Sequence, residues 1–227
     1  MPVSVVAGLG NPGLEYENTR HNAGFVLLDA LATEFDCRWA KDRKSDVLYA
    51  THERRGRKLF LLKPQAYVNR SGSCLREFFA FHKLSLSELA VVYDEINLPL
   101  GRAKISVGGS AGGHNGIADI LRYFPDEFVR FRVGIGPKAP PWIDMKDFVL
   151  GRWRTEELKV LESETPGFLE GIKLLIDSGP QSAMNRVNRR PGKPDDGAAV
   201  KETTRQSEQE TKDENSGKTE IPGYGDP

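Results

Sequence analysis

Residues 8–25 read GLGNPGLEYENTRHNAGF, and this stretch limits the possible folds more than any other. The short run Val3 to Ala7 leads into it, and its β-branched composition predicts a buried strand. Gly8, Gly10 and Gly13 permit close backbone approach and positive φ, and Pro12 stiffens the bend. Asn11, Asn18, Thr19, Arg20, His21 and Asn22 then crowd together before a helical pattern that places Phe25, Leu28, Leu31 and Phe35 on one side. A strand that opens into a glycine-rich turn and a polar cluster is how open α/β sheets build their sites.

Gly8-x-Gly10-x-x-Gly13 also has the spacing of a dinucleotide-binding fingerprint. That fingerprint needs a helix to start at its third glycine, and an acidic residue about 20 positions on at the end of a second strand. Helical periodicity here begins only near Ala23, and Asp29 and Glu34 fall inside it. The sequence therefore argues against a nucleotide cofactor.

Further along, Val47 to Thr51 and Lys58 to Leu62 predict two strands joined by a polar turn, with basic flanks that are either solvated or available to phosphate. Pro64 is expected to interrupt the second strand, with Asn69 in a loop before a helix from about Ser71 that carries Leu75, Phe78, Phe79 and His82 on one face. Ala90 to Tyr93 reads as a strand with Asp94 and Glu95 at its C-terminal end, and Leu98 to Gly101 reads as a turn. Lys104 to Val107 is strand-like. A second glycine-rich loop, residues 108–116, precedes a helix bearing Ile117, Ile120, Leu121 and Phe124. Phe128 to Ile135 alternates, which puts Arg130 and Arg132 on one face of a strand. Thr155 to Ile176 and Pro180 to Val187 are the last helical stretches. Beyond about Arg189, apolar residues are few, and composition predicts a disordered polar tail.

The 227 residues carry a formal net charge of zero, which conceals an asymmetry. Residues 191–227 hold 5 Lys+Arg against 9 Asp+Glu, whereas residues 1–190 hold 27 against 23. The mildly basic body is compatible with a nucleic-acid partner and does not establish one. No apolar run approaches the ~18 residues of a membrane span, and no signal-peptide pattern appears. Cys37 and Cys74, without a C-x-x-C, suit a reduced cytoplasmic setting.

Two chemical readings fail on spacing. Gly108-x-Ser110-x-Gly112 has the form of a nucleophile elbow, but that arrangement needs a later histidine beyond an acid, and the last histidine, His114, lies four residues on. His21, His52, His82 and His114 show no metal-binding spacing, so no metal is expected. What remains are two His-Asn pairs, His21-Asn22 and His114-Asn115, each beside a glycine-rich loop.

Four segments, taken in order and spacing, carry a resemblance to the bacterial peptidyl-tRNA hydrolase family. They are Gly8 to Tyr16 with Thr19 to Gly24; Lys63-Pro64 with Asn69-x-Ser-Gly72; Asp94-Glu-x-x-Leu-Pro-x-Gly101; and Gly108 to Gly116 with Arg132-x-Gly-Ile-Gly136. Ala66-Tyr-Val-Asn69 departs from the family's usual Thr-(Tyr/Phe)-Met-Asn, which bears on the shape of one pocket wall. The resemblance covers most of residues 1–188. It implies one α/β domain over 1–188, a twisted mixed β-sheet flanked by helices, with the polar tail from 189 outside it.

The activity so implied is cleavage of the ester joining a peptide to the 3′-terminal adenosine of tRNA, by a monomer without metal or organic cofactor. An ester is activated enough that one water, one base and an oxyanion donor suffice. His21 suits the base, because an imidazole of pKa about 6.5 is mostly neutral at pH 7. Asp94 suits the group that orients it. Asn11 and Asn69 can position water and carbonyl groups. The resemblance places substrate contacts at Tyr16, Val68, Asn69, Gly113 and Asn115, and a grip on the tRNA 5′-phosphate at Lys104 and Arg130. The alternative is a non-catalytic RNA-binding or splicing factor of the same fold.

Overall fold

The computed structural model describes residues 3–189. The expected polar tail lies outside the described residues, apart from Arg189. Among the described residues, seven strands form one mixed sheet: β1 Val5–Gly8, β2 Ala40–Lys41, β3 Val47–Arg54, β4 Arg57–Pro64, β5 Leu89–Pro99, β6 Ala103–Val107 and β7 Val129–Gly136. Their order is β2-β3-β4-β1-β5-β7-β6. β1 pairs in parallel with β4 and β5, and β5 with β7, whereas β2, β3 and β6 run antiparallel to their neighbours. The helices are α1 Ala23–Glu34, α2 Ser71–His82, α3 Asn115–Ile120, α4 Met145–Leu150, α5 Thr155–Ser178 and α6 Pro180–Val187.

Alternation along the strands divides the core into two layers. Val6, Leu61, Val92, Phe131 and Val133 face α1, α5 and α6, where they meet Leu28, Leu31, Phe168 and Ile172. Val5, Ala7, Leu62 and Val91 face α2 and α3, where they meet Leu75, Phe78 and Ile117. Residues such as Leu61, Phe78 and Phe131 are fully buried, and each contributes about 1.5–3 kcal/mol.

The glycines of the opening stretch serve packing. A Cβ on Gly24 would lie 2.4 Å from the Val92 carbonyl oxygen and 2.5 Å from the Leu9 nitrogen. A Cβ on Gly8 would lie 2.6 Å from the Gly24 carbonyl oxygen. α1 therefore sits backbone to backbone on β1, and no helix starts at Gly13. Turn residues and a 3-10 turn, Arg20–Asn22, intervene before Ala23.

Two local expectations change. β5 does not end at Tyr93 but runs to Pro99, because β7 keeps pairing with it through Glu95 and again at Pro99. Asp94 still emerges at an edge, since β1 stops pairing at Val92. Pro64 does not cut into β4; it is the last residue, opposite Val47, beyond the pairs that β1 makes with that strand. β1 has β4 on one side and β5 on the other, so its carboxyl end opens the crevice where such sheets bind ligands.

Candidate active site

Asn11 follows β1 and is fixed from three directions. Its backbone N–H donates to Asn22 Oδ1 (2.8 Å), and Asn22 Nδ2 donates back to the Asn11 carbonyl (2.9 Å). The Val68 N–H donates to Asn11 Oδ1 (2.8 Å), so Nδ2 is the side-chain group left to donate elsewhere.

His21 is held through its neighbours. The Arg20 N–H donates to the Gly151 carbonyl (3.1 Å), and the buried guanidinium donates to the Phe148 carbonyl (3.2 Å) and to Glu157 (2.7 Å). These contacts seat the 3-10 turn between the sheet and the start of α5. His21 is 7% exposed, and its Nδ1 lies 2.9 Å from Asp94 Oδ1.

Asp94 Oδ1 has a second partner, His114 Nε2, at 3.1 Å. His114 is the N-cap of α3, and its Nδ1 accepts from the N–H groups of Gly116 (3.1 Å) and Ile117 (3.2 Å). A neutral imidazole that accepts at Nδ1 carries its proton at Nε2, so His114 donates to Asp94. Burial by itself favours the protonated form of Asp94, but the two imidazoles more than reverse this and hold it below the usual carboxylate range. An ionised carboxylate only accepts, so His21 carries its proton on Nδ1 and keeps Nε2 as the basic nitrogen. Burial pulls the His21 pKa down, and the adjacent Asp94, through its charge and its hydrogen bond together, outweighs it, leaving the value raised.

His21, Asp94 and His114 are also the one group of metal-ligand type found among the described residues, with ligand atoms within 4.8 Å of one another. The His114 cap opposes that use. A cation at Nε2 would require loss of the proton there while Nδ1 continues to accept two N–H bonds.

The three residues border a cleft of about 420 Å³. Asn11, Val68 and Asn69 line it together with Tyr93, Glu95 and Ile96 from β5, residues 111–115 of the second glycine loop, and residues 144–146, 149 and 150 around α4. Asn69 and Asn115 are exposed, whereas Val68 is buried. Gly112 and Gly113 have φ of +57° and +85°, conformations that favour glycine. The fold thus brings His21, Asp94, Asn11, Val68, Asn69, Gly113 and Asn115 to one cleft.

Three residues singled out from the sequence lie outside that lining. Tyr16 packs edge-on against the exposed Tyr67, ring centroids 6.2 Å apart. Lys104 is exposed on β6. Arg130 is 3% exposed, and its guanidinium donates to the carbonyls of Gly109 and Ser110, holding the second glycine loop on the sheet. The residue across from Lys104 is Arg132, partly exposed, 3.3 Å from Ser106 Oγ and 3.7 Å from Glu95. His52 stacks on Phe35, and His82 pairs with Asp42. Sequence reasoning gave no role to His114, Asn22 or the α4 wall. The adjacency of His114 to a glycine loop and a helix start was the available signal for the first.

Fold and site define a three-layer α/β protein with a buried His–Asp pair beside the carboxyl end of its central strand, opening on a cleft of mixed polar and apolar lining. The chain belongs to the peptidyl-tRNA hydrolase family, whose sequence profile matches residues 5–195. It is 44% identical over 186 residues to the peptidyl-tRNA hydrolase of Carboxydothermus hydrogenoformans, covering 82% of this chain and 98% of that one. Against that of Bacillus subtilis the identity is 38% over 185 residues, covering 81% and 97%. The crystal structure of peptidyl-tRNA hydrolase from Acinetobacter baumannii superposes with a TM-score of 0.77 at 33% identity, covering 82% of this chain and 94% of that chain.

Proposed function

We propose that the protein hydrolyses the ester bond between a peptide, or an N-blocked amino acid, and the 3′-terminal adenosine of tRNA. The observation that supports this most is His21, with Nδ1 bound to Asp94 and Nε2 left as a base, in a chain of the peptidyl-tRNA hydrolase family. His21 Nε2 takes a proton from water as the water oxygen attacks the ester carbonyl. The bond to the ribose oxygen then breaks, and the imidazolium returns the proton to that oxygen. Free tRNA and a peptide acid leave. Asp94 keeps the imidazole in the required tautomer and stabilises it while charged.

Asn11 Nδ2 is the donor for the carbonyl oxygen as it gains charge. Val68, Asn69, Gly113 and Asn115 shape the walls that hold the ester, with Tyr16 and Tyr67 at the side. In this reading no step calls for a metal or an organic cofactor. Outside the cleft, Lys104 and Arg132 take the role expected of Lys104 and Arg130, a grip on the tRNA 5′-phosphate, since Arg130 is buried under the loop whose carbonyls it binds and Arg132 is partly exposed opposite Lys104. The protein acts as a cytoplasmic monomer; no described helix is long and apolar enough to cross a membrane.

The test is incubation of purified protein with N-blocked aminoacyl-tRNA. The expected result is free tRNA and the blocked amino acid. Folded protein that binds tRNA and leaves the ester intact would instead favour the non-catalytic RNA-binding role.

A further inference from the structure

Two donors converge on one carboxylate oxygen in this site, and only one of them belongs to the base. His114 is 9% exposed at its side chain, its ring 5.0 Å from that of His21 and 4.9 Å, edge-on, from that of Tyr93. Its two ring nitrogens serve different elements. Nδ1 closes the first turn of α3, and Nε2 reaches Asp94 Oδ1. The cap fixes the tautomer, and the tautomer makes Nε2 an obligatory donor. His114 therefore links the second glycine loop to the carboxylate that faces His21.

We infer that His114 is a positioning residue: it holds Asp94 in place and, by sharing Oδ1, limits the basicity that His21 draws from that carboxylate. The inference rests on the reading of His21 as the base. A second hydrogen bond to a carboxylate stabilises its charge and weakens its hold on the first partner's proton. Withdrawing the donor leaves Oδ1 to His21 alone and raises the affinity of His21 for its proton. The titratable and charged groups that line the cleft with His21 are Asp94, Glu95 and Tyr93 from β5, His114 from the loop before α3, and Asp144 and Lys146 at the start of α4; Arg20 precedes it in its own turn. Among these, Asp94 is in hydrogen-bond contact with both imidazoles.

Two substitutions separate the bonds. His114→Asn keeps an acceptor near the Nδ1 position, where asparagine is a good N-cap, and removes the donor to Asp94. His114→Gln keeps a donor near the Nε2 position and removes the short cap. The readout is NMR titration of the His21 ring in the full chain, together with melting temperature and hydrolysis of N-blocked aminoacyl-tRNA. With His114→Asn, the His21 midpoint should rise by about 0.5–1 pH unit at a melting temperature close to that of the parent. With His114→Gln, melting should fall by about 2–4 °C while the His21 midpoint stays near the parent value. A His114→Asn protein whose His21 titrates as in the parent would reduce His114 to a cap and overturn the inference. So would an equal rise in both variants. The midpoint shift without any hydrolysis would remove the proposed function and keep this coupling; hydrolysis without the shift would do the reverse.

Discussion

Replacing Asp94 by asparagine changes the charge of the site at almost constant shape. His21 Nδ1 and Asp94 Oδ1 are 2.9 Å apart, which places the charge centres of a carboxylate and an imidazolium about 4 Å apart. At an effective dielectric constant of about 20 their attraction is about 4 kcal/mol. Asparagine keeps a carbonyl oxygen, and His114, whose proton is confined to Nε2, keeps that oxygen turned towards both imidazoles. The tautomer of His21 is thereby retained, and the residual hydrogen bond recovers about 1 kcal/mol. The remaining ~3 kcal/mol corresponds to a loss of about a hundredfold in kcat/KM, with KM little changed.

The pH profile moves too. In the parent, Asp94 is what raises the His21 pKa against its burial, so the acid limb should have its midpoint above the ordinary imidazole value of about 6.5. Without the charge only burial remains, and the midpoint should fall below that value. The assay is cleavage of N-blocked aminoacyl-tRNA at several substrate concentrations between about pH 5.5 and pH 9. A loss smaller than about fivefold, or a limb that stays where the parent has it, would refute the electrostatic role of Asp94.

Gly24→Ala should destabilise the fold by about 3 kcal/mol or more, because its Cβ would meet the backbone of Val92 and Leu9, which cannot move independently of the sheet; melting within a degree of the parent would disprove this packing. Lys104→Ala combined with Arg132→Ala should weaken tRNA binding and reduce its salt slope by about one to two phosphate contacts while leaving a minimal ester lacking the tRNA body untouched. Equal discrimination by parent and double variant between substrates with and without the 5′-phosphate would exclude that site.

Local pattern revealed most of the fold. Short apolar runs marked β1, β3 and β4, alternation marked β7, and the 3.6-residue period of Leu28, Leu31 and Phe35 or of Leu75, Phe78 and Phe79 marked α1 and α2. What stayed hidden depended on contacts distant in sequence. The extension of β5 past Asp94 comes from pairing with β7, and the α4 wall follows a proline-rich loop with little periodicity. Strand alternation placed Arg130 and Arg132 on one face but could not tell which of them the folded-back glycine loop would cover. At the site, the pairing of His21 with Asp94 spans 73 residues and was expected from the resemblance, not from spacing. The sequence marked His114 only by its place between a glycine loop and a helix start; its role as the second donor to Asp94 depends on the folded loop, which shows which nitrogen faces which partner.

The most direct test of the account is the rate at which His21→Ala cleaves N-blocked aminoacyl-tRNA under single-turnover conditions, beside the parent protein. The variant should keep the parent's circular dichroism and tRNA affinity and lose about 10²–10⁴-fold in rate, the usual contribution of a positioned base. A folded His21→Ala protein that cleaves the ester near the parent rate would contradict the assignment of His21 as that base.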